Sequence, residues 1–240
     1  MVLEKADDRS VLAVIAALNE EEGIGLTIAE LRHYLEKPWV LVVDGKSRDR
    51  TVEVAKDQYA DVISQKGVGK GDAIAEAIRN VRMDIDYVVF TDADFTYPAE
   101  YLPEMMRILD ENPQVGMVGG NRFNHHLNVK AMRNAFHLGN RLLAFTHRVL
   151  NGVNMRDPLT GLRVIRWEIL KGWKPKSQGF DIEVEMNIYV EKKGYGIAEV
   201  DIPYRPRLGE KKLRLKHGAR IFQRILQQAW PYERAGLGAI

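Results

Sequence analysis

The 240-residue chain has no cysteine, which excludes disulfides, zinc–thiolate centres and cysteine nucleophiles and fits a reducing compartment. It has no run of about 18 consecutive apolar residues, so no segment reads as a membrane-crossing helix; contact with a membrane surface stays open. Charge of one sign is not in excess either: 35 Lys and Arg face 33 Asp and Glu, for a formal net charge of +2, and overall charge does not mark a nucleic-acid binder. The opening residues 1–10 are polar and charged and do not read as a signal peptide. Internal repeats and low-complexity stretches are missing. What is there is globular: 45% hydrophobic and 28% charged residues in 27.4 kDa, enough to bury a core in one large domain and too apolar for disorder.

The first half alternates short apolar runs with helical patterns. Strands are expected at residues 11–17 (VLAVIAA), 39–43, 60–64, 87–91 and 115–119, and helices at 21–36, 49–59, 70–81 and 99–110. Regular alternation of this kind implies parallel strands joined by crossover helices, and continuously apolar runs are what strands buried on both faces look like. Helical spacing returns over 130–150, a polar turn follows at 151–157, and a strand at 162–165, a helix at 181–193 and a strand at 196–200 come next. From Pro203 the chain turns basic, and residues 218–230 read as an amphipathic helix. We expect an α/β domain over residues 1–202 with a basic segment, 203–240, packed on it. Chemistry in such sheets gathers at the carboxyl ends of the strands, which directs attention to Asn19–Glu20, Asp44 and Asp92–Asp94.

Asp92-Ala93-Asp94 is the strongest constellation. Two carboxylates one residue apart at a strand end suit one Mg²⁺ or Mn²⁺ shared with substrate phosphates, and a metal there neutralises a departing diphosphate; the bland reading is two solvated loop acids, or a cap for the next helix. Asp44 is placed to accept hydrogen bonds from a base or ribose, or its loop simply caps the next helix through Ser47 or Asp49. Asn19-Glu20-Glu21 has the same double reading, a ligand edge or an acidic first turn. Gly67-Val68-Gly69-Lys70-Gly71-Asp72 resembles a phosphate loop loosely and lacks the spacing of a P-loop; it is either a place where backbone and Lys70 approach a ligand or a plain glycine turn with Asp72 as cap. The run from Arg205 through Arg207, Lys211, Lys212, Arg214, Lys216 and Arg220 to Arg224 contains one acid, Glu210. It reads as a solvated face, a phosphate clamp, an anionic-membrane contact beside Phe222, Ile225, Leu226 and Trp230, or, least in keeping with the near-neutral remainder, a nucleic-acid contact. The histidines show no metalloprotease spacing.

The segments AALNEEEGIG (16–25), VVDGKSRDRT (42–51), QKGVGKGDAI (65–74), TDADFTYP (91–98), GGNRF (119–123), RDPLTGLRVIR (156–166), GFDIEVEM (179–186) and IPYRPRLGEKKL (202–213) occur in that order. In this set the chain resembles glycosyltransferase family 2, with its GT-A fold, and within it the polyprenyl-phosphate sugar synthases, the dolichol-phosphate mannose and glucose synthase group. The resemblance implies a Rossmann-like, mostly parallel sheet flanked by helices. It implies that Ala16, Ala17, Asn19, Glu20 and Asp44 line the pocket for the donor's base and ribose, that Asp92 and Asp94 bind Mg²⁺ or Mn²⁺, and that Lys70 and Asp72 contact the nucleotide. Arg122, Arg133, Arg207 and Lys212 match positions that hold acceptor or donor phosphate, Asp157 and Thr160 match the motif beside the reaction centre, and Glu183 and Glu185 match two acids of the family. The sequence departs from the family at Asp44-Gly45-Lys46-Ser47, where a second aspartate is usual, and at Gly209-Glu210-Lys211-Lys212-Leu213, which has an added cation. Many relatives carry carboxyl-terminal membrane helices, and this chain resembles the short type without them, or a truncation.

The activity implied is inverting transfer of mannose or glucose from GDP-mannose or UDP-glucose to a polyprenyl or dolichyl phosphate, by a cytoplasmic enzyme peripheral on the inner face of the membrane, with Asp94, Arg122, Asp157 and Arg207 at the reaction. Two other readings stay open: a glycosyltransferase with a soluble acceptor, such as phosphoglycerate or a glycan hydroxyl, and a catalytically silent nucleotide-binding subunit.

Overall fold

A computed structural model of the chain describes residues 9–81, 84–123, 135–210 and 215–229. Strands β1 (Val11–Ala17), β2 (Trp39–Asp44), β3 (Asp61–Ser64) and β4 (Tyr87–Asp92) alternate with helices α1 (Ile24–Tyr34), α2 (Thr51–Asp57) and α3 (Lys70–Asn80). After β4 come a 3-10 turn (Ala99–Tyr101), α4 (Leu102–Glu111), β5 (Val115–Asn121) and α5 (Ala135–Asn151). Then follow β6 (Arg163–Arg166), the single turn α6 (Trp167–Leu170), α7 (Ile182–Lys192), β7 (Gly196–Asp201) and α8 (Leu215–Ala229).

One seven-stranded sheet results, in the order β3-β2-β1-β4-β6-β5-β7. Neighbouring strands are parallel except at β6, which runs antiparallel to both β4 and β5. Alternate residues of β1 separate the two cores, as a period of two requires. Val11, Ala13, Ile15 and Ala17 pack with Ile24, Ile28 and Leu31 of α1 and with Leu102, Met105 and Leu109 of α4. Leu12 and Val14 face Ile74 and Ile78 of α3, Val184 and Ile188 of α7, and Ile221 and Ile225 of α8.

Element boundaries depart from the sequence expectation where loop chemistry intervenes. The helix expected from residue 21 starts at Ile24, because Glu20 to Gly23 form a turn in which the Gly23 and Ile24 N–H groups both donate to the Glu20 carbonyl. The helix expected from 49 starts at Thr51 with Arg50 at its cap position and no side-chain cap bond, so neither Ser47 nor Asp49 is the expected cap; the Asp49 carboxylate accepts from the Thr51 N–H (3.0 Å) one residue further out and shapes the turn into the helix. The expected helix 99–110 opens as a 3-10 turn, and α6 has no counterpart in the expectation. The first residues of the expected 130–150 helix, with Arg133, lie outside the described residues, as do Lys211, Lys212 and Arg214.

Candidate functional site

The carboxyl edge of the sheet collects the charged residues singled out in the sequence. Beyond β7 the chain turns back across this edge: the Arg205 N–H donates to the Thr96 carbonyl (3.0 Å) and the Leu208 N–H to the Asp94 carbonyl (3.2 Å). The Arg205 guanidinium closes the crossing with two bonds to Glu30 (2.8 and 2.7 Å) and lies over the Phe95 ring. Phe95 itself has φ 62°, and Asn19 and Lys46 at the neighbouring strand ends have φ 50° and 69°. Non-glycine residues rarely adopt this conformation, at about 1–3 kcal/mol each, and they concentrate at functional edges. Lys46 sits two residues after Asp44, in the loop whose sequence departs from the family.

Two ion-paired groups face each other across the acid pair. Lys70, at the start of α3, places its ammonium 2.6 Å from Asp92 Oδ1 and 2.7 Å from Glu183 Oε1. Arg207 bonds Asp94 Oδ2 (2.7 Å) through one terminal nitrogen and Glu20 through the other. Asp94 is fixed from its other side by the Thr96 hydroxyl (2.6 Å) and N–H (3.2 Å). Among the described residues, Asp92 and Glu183 thus share the Lys70 ammonium, and Asp94 and Glu20 share the Arg207 guanidinium. The electrostatics split the acid pair. Burial disfavours the charged form of Asp92, but Lys70, together with Arg122 and Arg207, outweighs it and holds the carboxyl below its usual range. Burial raises Asp94, and the like charge of Asp92 raises it further.

A second ion pair lines the same edge. Arg122, after β5, makes a fork with Asp157 (Nε–Oδ2 2.6 Å, Nη2–Oδ1 2.8 Å), and its carbon centre lies 5.7 Å and 5.2 Å from the Tyr97 and Tyr204 ring centroids. Asp157 is wholly buried. Its N–H is held by Glu199 (2.8 Å), whose carboxyl burial pushes above its usual range. Because β6 is antiparallel, the loop that precedes it, rather than one that follows, lies at this edge. That loop brings Gly161 against the acid pair: its N–H donates to the Tyr97 hydroxyl (2.7 Å), and its α-carbon faces Asp92. Thr160 is buried beside it.

Other candidates have structural bonds. The Asp44 carboxylate accepts from the Lys46 (2.9 Å) and Ser47 N–H groups and so closes its own turn. The Asn19 N–H donates to the Ser47 hydroxyl (2.9 Å) and its side-chain oxygen accepts from the Arg48 N–H (2.8 Å), stitching the loops after β1 and β2 together. Asp72 accepts from the Gly67 N–H (2.8 Å), which shapes the glycine loop from within rather than capping α3. The glycines of that loop admit protein backbone: the Gly71 N–H donates to the Gln178 carbonyl (2.9 Å), and a β-carbon at 71 would lie 2.1 Å from the Ser177 carbonyl oxygen. The amino end of α3 is therefore capped by the 177–179 segment, and only the Lys70 side chain reaches the acid pair. Glu185 holds that segment through the Lys176 and Ser177 N–H groups (both 2.7 Å). Ala16 and Ala17 are strand residues paired with Asp92 and Asp44.

Sequence reasoning missed Tyr97, Tyr204 and Glu199 as parts of the site. Nothing in their spacing signals it; the pairing of β7 with β5 brings Glu199 to the edge, and the return of the chain after β7 brings Tyr204 to Tyr97.

Hard-cation chemistry fits the donor set. Among the described residues no group of three or more His, Cys, Asp or Glu side chains is arranged around one point as a metal cage. A divalent ion held by one or two carboxylates and completed by phosphates and water is the usual Mg²⁺ arrangement, and Asp92 and Asp94, one residue apart at the end of β4, offer carboxylate oxygens of that kind.

The chain belongs to glycosyltransferase family 2, whose profile matches residues 12–173, and it is a hexosyltransferase of that family. It is similar to the dolichyl-phosphate hexose transferase of Haloferax volcanii, 36% identical over 210 residues that cover 86% of this chain and 87% of that protein. It is also similar to the undecaprenyl-phosphate mannosyltransferase of Micrococcus luteus, 29% identical over 218 residues that cover 85% and 87%. Its fold matches glucosyl-3-phosphoglycerate synthase from Mycobacterium tuberculosis, solved with Mn²⁺, UDP-glucose and glycerol 3-phosphate. The TM-score is 0.75 over 92% of this chain and 80% of that one, at 22% identity.

Proposed function

We propose that this glycosyltransferase moves a mannose or glucose from a nucleotide sugar to a polyprenyl or dolichyl phosphate at a membrane surface. The observation that carries the lipid acceptor is an apolar ridge on two helices that pack against each other. Leu142, Phe145 and Val149 of α5 are each more than 60% exposed, and Phe222 and Leu226 are exposed on α8, the helix packed against it. Arg141, Arg148 and Arg220 are exposed on the same helices, the combination that lies on an anionic interface. No helix among the described residues is long and apolar enough to cross a membrane. The names of the Haloferax and Micrococcus relatives point the same way.

In this reading Ala16, Ala17, Asn19, Glu20 and Asp44 line the donor pocket, and Asp92 and Asp94 hold Mg²⁺ or Mn²⁺. The ion supplies charge neutralisation for the departing nucleoside diphosphate. Lys70 stands beside Asp92 to meet the same negative charge, with Glu183 keeping it in place. Arg207 and Arg122 receive acceptor phosphate by exchanging carboxylate partners for phosphate oxygens, to which a guanidinium fork is equally matched. The attacking phosphate oxygen is already ionised near neutral pH, so one displacement with inversion at the anomeric carbon requires little general-base assistance. Transfer then rests on positioning and electrostatics. The basic segment from residue 203 works as part of the same unit, since Arg207 reaches the acid pair.

A thermal-shift panel tests the donor, because selective binding raises apparent stability: GDP-mannose and UDP-glucose with Mn²⁺, each with and without a short polyprenyl phosphate. Flotation with anionic liposomes tests the surface. Stabilisation by one donor, enhanced by the lipid phosphate, together with flotation that Phe145→Ser and Leu226→Ser abolish, is expected. Transfer to phosphoglycerate and no flotation would replace the lipid acceptor with a soluble one.

A further inference from the structure

Arg163 is among the largest fully buried side chains of the protein, 1% exposed, and lies on β6 where both faces of the sheet are covered. Ion pairs satisfy the other buried or half-buried cations of the edge, Lys70, Arg122 and Arg207. Arg163 is held almost wholly by neutral oxygens. Its Nε donates to the Thr160 carbonyl (2.9 Å) and Nη2 to the Pro158 carbonyl (2.7 Å); Nη1 reaches the Glu183 carbonyl (3.3 Å) and the Asn187 side-chain oxygen. Asn187, also fully buried, returns a second donor to the Pro158 carbonyl (3.0 Å).

Burying a guanidinium without a carboxylate is costly, and a fold that needs only packing at such a position does better with an apolar side chain of the same volume. What the charge secures is the shape of residues 158–162: two carbonyls of that loop are drawn onto one rigid fork, and a third contact ties the fork to α7. The ends of the loop are the parts that matter at the edge. Asp157 orients Arg122, and Gly161 lies against Asp92 and Tyr97.

We propose that Arg163 is a positioning residue for glycosyl transfer: its buried fork, with Asn187, holds the 157–161 loop so that Arg122 and Asp92 are presented to the reactants, which Arg163 itself does not touch. The inference rests on the proposed place of Asp157 and Arg122 beside the reaction centre. A misplacement of about 1 Å at a reacting group costs on the order of a hundredfold in rate, so a loosened loop is read in turnover before it is read in stability.

The test compares Arg163→Met, Arg163→Lys and Asn187→Leu with the wild-type chain, with Arg122→Ala as a reference. Thermal unfolding, Mn²⁺-dependent nucleotide affinity by calorimetry, and kcat and KM for nucleoside diphosphate release with polyprenyl phosphate in detergent are measured on each. For Arg163→Met we expect a folded protein, nucleotide affinity and donor KM within roughly threefold of wild type, and kcat lower by about a hundredfold. Arg163→Lys keeps the charge but cannot span both carbonyls, and should recover about a tenth of wild-type kcat. Asn187→Leu should show the same split between kcat and KM, and it decides the matter if Arg163→Met does not fold. Wild-type kcat in a folded Arg163→Met or Asn187→Leu overturns the proposal. So does parallel loss of stability, nucleotide affinity and kcat, or failure of all three variants to fold, since each assigns Arg163 to the fold alone. Wild-type kcat in Arg122→Ala refutes instead the placement of the reaction centre on which the inference rests, and is read independently of the Arg163 variants.

Discussion

Replacing Gly161 by alanine probes the acid pair without touching an acid. A β-carbon there would lie 2.7 Å from Asp92 Oδ2, 2.9 Å from Asp92 Cγ and 2.9 Å from Tyr97 Cε2. Gly161 is not in the left-handed region, so the backbone accepts alanine and the whole effect is steric. Tyr97 is boxed in, 4% exposed and edge-on to Tyr204 with centroids 5.5 Å apart; Asp92 is 31% exposed in its side chain and gives way. Its displacement loses the 2.6 Å bond to Lys70, a charge-assisted contact contributing about 1.5–3 kcal/mol. The stiffer unfolded chain returns about 0.4–1 kcal/mol. A net loss of roughly 1–2 kcal/mol in a chain of this size lowers Tm by roughly 2–8 °C. The effect on transfer is larger, because a preorganised charge aimed at the leaving diphosphate contributes about 10²–10³ in rate. Steady-state nucleoside diphosphate release at saturating Mn²⁺ measures it, with differential scanning fluorimetry on the same preparation. A Gly161→Ala protein with wild-type kcat/KM would show that Asp92 does not act from where it stands.

Asp94→Asn should remove metal-dependent turnover by about 10²–10³ or more while Tm stays within a few degrees, and steady-state rates with and without Mn²⁺ check this. His147 is buried between α5 and α7 with its pKa depressed to about 4, by burial first and then by the charge of Arg163. The unfolded chain therefore takes up a proton that the folded one refuses: stability is whole above about pH 6.5 and declines by roughly 3 kcal/mol as pH falls toward 4. Urea midpoints at several pH values, taken as the difference between wild type and His147→Gln, should show that decline, and parallel curves would refute it. The Arg224 guanidinium on α8 lies 2.9 Å from the Asp181 carboxylate at the start of α7, and Arg224→Met should loosen α8 by about 1–3 kcal/mol, seen as faster amide exchange in residues 218–228.

How much of this was legible in the sequence follows from which groups meet solvent. The strands β1, β2 and β4 read correctly because parallel strands covered on both faces are continuously apolar, and the acids at their carboxyl ends stand out as the first charges after each run. Asp92 and Asp94 were visible for that reason, and so were Asn19, Glu20 and Asp44. The glycine loop was ambiguous because a glycine admits close backbone from any source: the partner is the 177–179 segment, about a hundred residues away in sequence. The cage of Tyr97 and Tyr204 around Arg122 is also set by long-range packing, and aromatic residues at such separations carry no local pattern.

The direction of β6 is the feature that periodicity leaves undetermined and that the site depends on most. A strand of four residues, two apolar between two arginines, pairs equally well either way, and its direction is decided by the path of the chain. A parallel β6 would have placed the 157–161 loop at the amino edge of the sheet, away from Asp92. Running antiparallel between β4 and β5, it delivers Asp157 to Arg122 and Gly161 to the acid pair before the strand begins. The same placement explains Arg163. With neighbours on both sides and helices over both faces, the first residue of β6 has no solvent to reach, so its guanidinium turns back onto the carbonyls of its own loop. The residue that looks least suited to a buried strand is thereby the one whose bonds fix the loop the strand was reversed to supply.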